Sequence, residues 1–243
     1  MSVVLYDLPS RQGTCWSLNP WKTRMALNIK GADYKTEWIP YPDLASTFKA
    51  LGIPPNKPDE PGYFGDYTSP AVSFVDGKNN TYVMDSWKII KEVESRYPSP
   101  SLHLDDPIVV QVRDAIGGLM GPIRGVLVPK VPRYLLNERC VEYFERTREA
   151  SLGKPLSQYE KDAGGEDAWQ KAEPPAKDIA QLLKKQGGPF FRGKEVSYAD
   201  VIFVSFLQFM KRLDSEIFER YLAFDPAFSE IYNASKQWLV KED

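Results

Sequence analysis

Val3-Val4-Leu5-Tyr6, then the loop formers between Pro9 and Pro20, then Trp21-Lys22-Thr23-Arg24-Met25-Ala26-Leu27-Asn28-Ile29-Lys30-Gly31 make up the stretch on which the fold is decided. The first run is β-rich and short. The last is helical, because Trp21, Met25 and Ile29 recur four residues apart and Gly31 stands where a helix C-cap belongs. Together they make one β-loop-α unit. Outward from it, Tyr34 to Ile39 reads as a second strand, and Asp43 to Leu51 as a short helix stopped by Gly52. Ile53 to Thr68 is a Pro- and Gly-rich loop too long for a bare connection. Ala71 to Val75 and Thr81 to Met84 form a hairpin around Asp76-Gly77, which offers a positive-φ residue. Ser86 to Tyr97 closes the series as a helix, with Ile89, Ile90 and Val93 on one side. The order βαβαββα is that of an α/β, thioredoxin-like domain over residues 1–97.

Residues 98–107 hold three prolines and read as a linker, and Asp106-Pro107 as an N-cap followed by a first-turn proline. The remainder, 108–243, reads as an all-helical second domain with helices at Ile108 to Met120, Arg133 to Ala150, Ala176 to Gln186, Tyr198 to Leu213 and Ala227 to Val240. Gly117-Gly118, Pro122, Pro129 and Pro132 are expected to break the early helices, and Ser151 to Pro175 to be a polar loop or a frayed helix.

The bulk properties exclude several function classes. The chain has 243 residues, 42% hydrophobic and 26% charged, and a net charge of -2, so it has neither the disordered composition nor the basic field that attracts nucleic acid or an anionic membrane. The Val201 to Met210 run is about half the roughly 20 residues that span a bilayer. MSVVLYDLPSR lacks the pattern of a secretory signal, which sets a cytoplasmic expectation. Two cysteines, Cys15 and Cys140, and a single histidine, His103, give no metal cluster and no Ser-His-Asp set. Small molecules are the expected partners.

Ser17 lies in the loop after the first strand, four residues before the helix that begins near Trp21. A helix N-terminus offers unpaired N–H groups and partial positive charge, so a thiolate held there is stabilised, and a serine hydroxyl adds one hydrogen bond to the anion. On the residues alone, Ser17 is equally a plain helix cap.

Ser17-Leu18-Asn19-Pro20-Trp21-Lys22-Thr23-Arg24 resembles the active-site stretch of the cytosolic glutathione transferase superfamily, whose catalytic Ser or Cys precedes a basic pair at this spacing. The resemblance implies a transferase with Ser17 as the catalytic residue and glutathione as co-substrate, without a metal. Thr68-Ser69-Pro70-Ala71 resembles the family's cis-proline segment, so Ser69 and Pro70 would pair backbone with the cysteinyl part of glutathione, as a strand added to a sheet edge. A strand-opening proline is the plainer reading of Pro70. Asp85-Ser86 resembles the acidic-Ser pair that binds the γ-glutamyl end, Ser86 meeting the carboxylate and Asp85 the ammonium; an ordinary N-cap fits the same residues. Lys57 could meet the glycyl carboxylate, or could simply be solvated. Phe191-Arg192-Gly193 through Ser197-Tyr198-Ala199-Asp200 resembles the family's capping box with its buried aspartate, a folding feature.

Trp16 to Tyr41 and Tyr143 to Glu149 resemble the etherase-related members, fungal ones included. That implies conjugation or cleavage of hydrophobic aromatic compounds, a detoxification role, or their carriage as a ligandin. Leu18 and Ser69 depart from the residues usual at their places. Trp16, Tyr63, Phe64, Met120 and Ile123 are candidates for the apolar acceptor site, with plain packing as the alternative for each. Three other readings stand beside the transferase: a non-catalytic carrier of aromatic ligands, a Cys15-dependent thiol transferase, although Cys15 lies two residues too early, and an interaction module that binds no glutathione. The resemblance also implies a homodimer.

Overall fold

The computed structural model describes residues 2–60, 63–76 and 79–242. The chain divides into two compact units, Met1–Ser101 together with Lys241–Asp243, and Leu102–Val240.

The first unit is built on a four-stranded sheet in the order β2-β1-β3-β4, with β1 at Ser2–Asp7, β2 at Tyr34–Trp38, β3 at Ala71–Asp76 and β4 at Asn79–Met84. β1 runs parallel to β2 and antiparallel to β3, so Leu5 lies opposite Thr36 on one side and Val72 on the other. Alternate β1 side chains go to opposite faces. Tyr6 meets Phe48 of α2 (Leu44–Ala50) at 6.0 Å between ring centroids, whereas Asp7 meets Arg24 of α1 (Leu18–Ile29). α1 packs on α3, Ser86–Arg96, through buried Ile89, Ile90 and Val93. The observed βαβαββα order is the expected one, and the strand and helix bounds agree with the sequence reading to within about three residues. Gly77, on which the hairpin turn was placed, lies outside the described residues.

The second unit is helical. α4 runs Pro107–Leu127, α5 Lys130–Tyr134, α6 Glu138–Leu152, α7 Leu156–Ala163, α8 Gly165–Lys184, α9 Tyr198–Leu213, α10 Ser215–Leu222 and α11 Pro226–Ser235. Nearly every α9 residue is buried, the pattern of a helix at the centre of a core. Around it Phe203 meets Phe228 at 5.1 Å and Phe206 meets Tyr221 at 5.3 Å between centroids. Asp200 accepts from Phe191 N–H at 2.8 Å and from Ser197 N–H at 2.7 Å, so the expected capping box is formed.

Three expectations for this unit are corrected. Gly117-Gly118 and Pro122 do not break α4, which continues to Leu127. Each glycine costs about 1 kcal/mol and the proline about 3, whereas Val109, Val112, Leu119, Ile123 and Leu127 bury roughly 2 kcal/mol of side chain apiece. Packing therefore outweighs propensity. Residues 151–175 are not a loop: α7 and α8 occupy most of them, with Pro174 and Pro175 inside α8. Gly125 permits the close approach of α4 to the end of α7, because a Cβ there would overlap the Ala163 carbonyl. The helix expected from Arg133 to Ala150 is two, α5 and α6, the second capped by Asn137 accepting from Cys140 N–H at 3.0 Å.

Candidate functional site

Ser17 stands at the N-cap of α1 with extended backbone, φ -77 and ψ 139, and its side chain makes no cap hydrogen bond. The plain capping role is thus not the one that its hydroxyl plays. The first turn of α1 holds no acidic residue, and Pro20 brings no N–H, so the Leu18 and Asn19 amides carry the partial positive charge of the helix end. Lys22 Nζ donates to Asn19 Oδ1 at 2.9 Å across that turn. Burial lowers the Lys22 pKa to about 8, and the Asp85 carboxylate opposes the shift.

The cis bond expected at Pro70 is present between Ser69 and Pro70. Because Tyr6 pairs with Ala71, this turn lies beside the end of β1, and the Ser69 hydroxyl donates to Tyr6 C=O at 3.4 Å. The Pro70 carbonyl accepts from Asp85 N–H at 3.1 Å, which joins the cis-proline turn to the start of α3. Asp85 sits at φ 83 and ψ 124, a positive φ that non-glycine residues seldom adopt and that concentrates at ligand sites. Its Oδ1 accepts from Trp87 N–H at 2.9 Å and Lys88 N–H at 3.2 Å, and Ser86 is buried at the first helical position. Ser69-Pro70 and Asp85-Ser86 are therefore joined side by side, Pro70 and Ser86 both buried, next to the strand end from which the chain leads to Ser17.

Lys57 is exposed and stands on the long loop rather than in that group. Its neighbour Asn56 pins the loop, with Nδ2 donating to Gly65 C=O and Thr68 Oγ1, both at 3.0 Å. Lys88 of α3 reaches Glu60 of the same loop at 2.5 Å. Of the proposed acceptor residues in this unit, Tyr63 and Phe64 are 40% and 59% exposed, while Trp16 is buried with its ring 6.3 Å from that of Tyr41. In the second unit Met120 is half-buried and Ile123 is wholly buried on the core face of α4.

Cys15 has no exposed surface. Close by, the Arg24 guanidinium is enclosed by the Asp7 carboxylate and by the rings of Tyr34 and Trp38, at 5.7 and 5.5 Å from their centroids. Burial pushes the Asp7 carboxyl up, while Arg24 and the Leu8 N–H pull it down. The pair fixes the chain where it leaves β1 for the Ser17 loop.

Models of two families match the chain: the glutathione S-transferase N-terminal domain over residues 16–96 and the glutathione S-transferase C-terminal domain over 112–226. The glutathione S-transferase-like protein ustS of Aspergillus flavus is 34% identical over 92% of this chain and 85% of its own. The chain belongs to the glutathione S-transferase family. Among solved structures this transferase resembles glutathione transferase GSTFuA2 from Phanerochaete chrysosporium, with a TM-score of 0.86 and 30% identity over the whole of both chains. It also resembles a glutathione S-transferase of Ceriporiopsis subvermispora crystallised in complex with glutathione, with a TM-score of 0.84 and 28% identity over 99% of each chain. The family, the two-part fold and the fungal likeness expected from the sequence all stand. Among the described residues no group of three His, Cys, Asp or Glu could hold a metal, and no helix is long and apolar enough to cross a membrane.

Lys22, quoted in the Ser17 to Arg24 motif as one of its basic pair, is given no role of its own there. Its signal was available as Asn19 three positions earlier, one helical turn away, which places the amide beside the ammonium.

Proposed function

We propose that this glutathione transferase binds glutathione along Ser69-Pro70 and Asp85-Ser86 and holds its sulfur as a thiolate at the start of α1. The Ser17 hydroxyl donates to the sulfur. The activated thiolate then attacks carbon of a hydrophobic aromatic electrophile, forming a C–S bond while a halide or an ether oxygen leaves with the electron pair of the bond that breaks. The observation that carries this reading is the Ser17 hydroxyl, which sits at an α1 N-terminus without acidic residues and makes no cap hydrogen bond. A hydroxyl so placed has its proton available for an anion that the helix end already favours.

The glycyl carboxylate falls to Lys57, and the aromatic acceptor to the exposed rings of Tyr63 and Phe64 in the first unit. A homodimer in the cytoplasm is part of the same reading, on the family's pattern. The buried position of Cys15 speaks against a mixed disulfide on that residue.

The test is turnover with an aromatic chloride or aryl ether in wild type, Ser17→Ala and Cys15→Ser. The reading expects Ser17→Ala to lose about 10- to 100-fold in kcat/KM, the worth of one hydrogen bond to a charged group, with Cys15→Ser near wild type. Loss in Cys15→Ser with Ser17→Ala unaffected overturns it.

A further inference from the structure

The start of α4, the end of α8 and the loop before α9 enclose a cavity of about 310 Å³ in the second unit. Its lining includes none of the residues assigned above to glutathione or to the acceptor. The volume is at the lower edge of the range for small-molecule pockets, about 300 to 1,000 Å³, so it suits a compact ligand.

Charge on its wall is unevenly used. Asp106, the α4 N-cap, accepts from Ile108 N–H at 3.0 Å and pairs with Arg192 Nη1, while Arg192 Nη2 reaches Glu195 at 3.3 Å. The acid and the guanidinium are thus neutralised within the protein. Lys185, which caps the end of α8, is not. Its neighbour Lys184 pairs with Asp225 at 2.6 Å, whereas among the described residues Lys185 has no ion-pair partner. The Gln111 and Gln186 side-chain amides on the same wall likewise make no hydrogen bond among the described residues, so their N–H groups are free to donate. Beside these donors stand Ile108 and Leu182, half-buried and apolar. An unpaired cation, two amides and an apolar strip match a molecule that carries one carboxylate on a compact apolar body. Phosphate uses the charge and leaves the strip uncovered, and an uncharged ring does the reverse.

We infer that this cavity is a second binding site, for a small monocarboxylate of the benzoate class, with the carboxylate on Lys185, Gln111 and Gln186 and the ring on Ile108 and Leu182. The site lies wholly within the helical unit and does not depend on glutathione being the ligand of the other.

The test is nuclear magnetic resonance titration of the labelled protein with benzoate, benzamide and inorganic phosphate, following backbone amides. Benzoate is expected to shift the amides of 106–111 and 182–192 saturably, with a Kd of about 1 mM, the scale for so small a ligand. Benzamide, which has the shape without the charge, and phosphate, which has charge and no ring, should each bind there about tenfold more weakly or worse. Lys185→Met alters an exposed side chain, and its fold is checked by circular dichroism; it should weaken benzoate about tenfold and leave benzamide as in wild type. Lys185→Arg should keep the preference for the carboxylate. Absence of saturable shifts at 106–111 and 182–192 overturns the assignment, whether or not benzoate shifts the amides around Ser17. Equal benzoate binding by wild type and Lys185→Met, or phosphate bound as tightly as benzoate, overturns it too.

Discussion

Arg24 Nη2 lies 2.9 Å from Asp7 Oδ2, and neither side chain has any exposed surface. Two further guanidinium N–H groups, Nε and Nη1, are buried without a hydrogen-bond partner. The contact is therefore an expensive one, in which Coulomb attraction offsets the desolvation of two charges and leaves part of the donor set unpaired. What it secures is geometry: Asp7 is the last residue of β1, and its Oδ1 also accepts from Leu8 N–H at 2.6 Å, at the entrance to the loop that ends in Ser17.

Removing one partner strands the other. Arg24→Met and Asp7→Leu singly are each expected to cost about 3 to 5 kcal/mol of unfolding free energy in chemical denaturation, and the double variant much less than the two combined. Additive losses in the double variant would mean that the two charges act independently.

Lys22 should titrate near pH 8, detectable by carbon NMR of its ε-methylene. Its folded pKa is below the usual 10.5, so between about pH 8 and 10.5 the unfolded chain holds a proton that the folded one lacks, and this group's contribution makes stability rise with pH across that window. Asp85→Asn removes the charge that supports the ammonium and is expected to lower the Lys22 pKa further. An unchanged or higher value would show that Asp85 does not act on it.

Asp200 carries the α9 cap and is buried enough that its pKa rises to about 6, against hydrogen bonds from Phe191 and Ser197 that favour the anion. A raised carboxyl pKa gives a contribution to stability that is full below the unfolded value of 3.8 and lost as pH rises through 6. Guanidinium denaturation from pH 4 to 7 should show that decline, and Asp200→Asn should remove the corresponding slope. Asp200→Ala, which leaves the Phe191 and Ser197 amides without their acceptor, should cost about 2 to 4 kcal/mol near pH 4 and less as pH rises, because the variant lacks the slope.

Much of this molecule was legible before the structure because its signals are local. Val3 to Tyr6, the Trp21-Met25-Ile29 period and the Ser197 to Asp200 box each fix an element with few residues, and α9 was read to its bounds, Tyr198–Leu213. The resemblance assigned Pro70 and Asp85 to two parts of one ligand, and the Pro70 C=O to Asp85 N–H bond joins them. The errors share one physical cause. α8 is buried through Ala168, Trp169, Ala172, Ala176, Ile179, Ala180 and Leu183, a helical stripe made largely of alanine, whose weak apolar signal is masked by Pro174-Pro175. α10 escaped notice although Asp214 caps it through Glu216 N–H at 2.9 Å, because the stretch follows α9 with one residue between them. Both depend on partners far away in sequence. In the site, the hydroxyl of Ser17 was identifiable as a residue, but whether it capped α1 or not was beyond the sequence.

The central claim is that the α1 N-terminus and the Ser17 hydroxyl hold glutathione as an anion, and the thiol pKa of bound glutathione measures this most directly. Ultraviolet difference titration of the complex should place it about 2 units below that of free glutathione in wild type, and about 1 to 2 units higher in Ser17→Ala than in wild type, since each unit is worth about 1.4 kcal/mol and one charged hydrogen bond about 1.5 to 3. A bound thiol that titrates as it does in water, or the same value with and without the hydroxyl, would contradict the account.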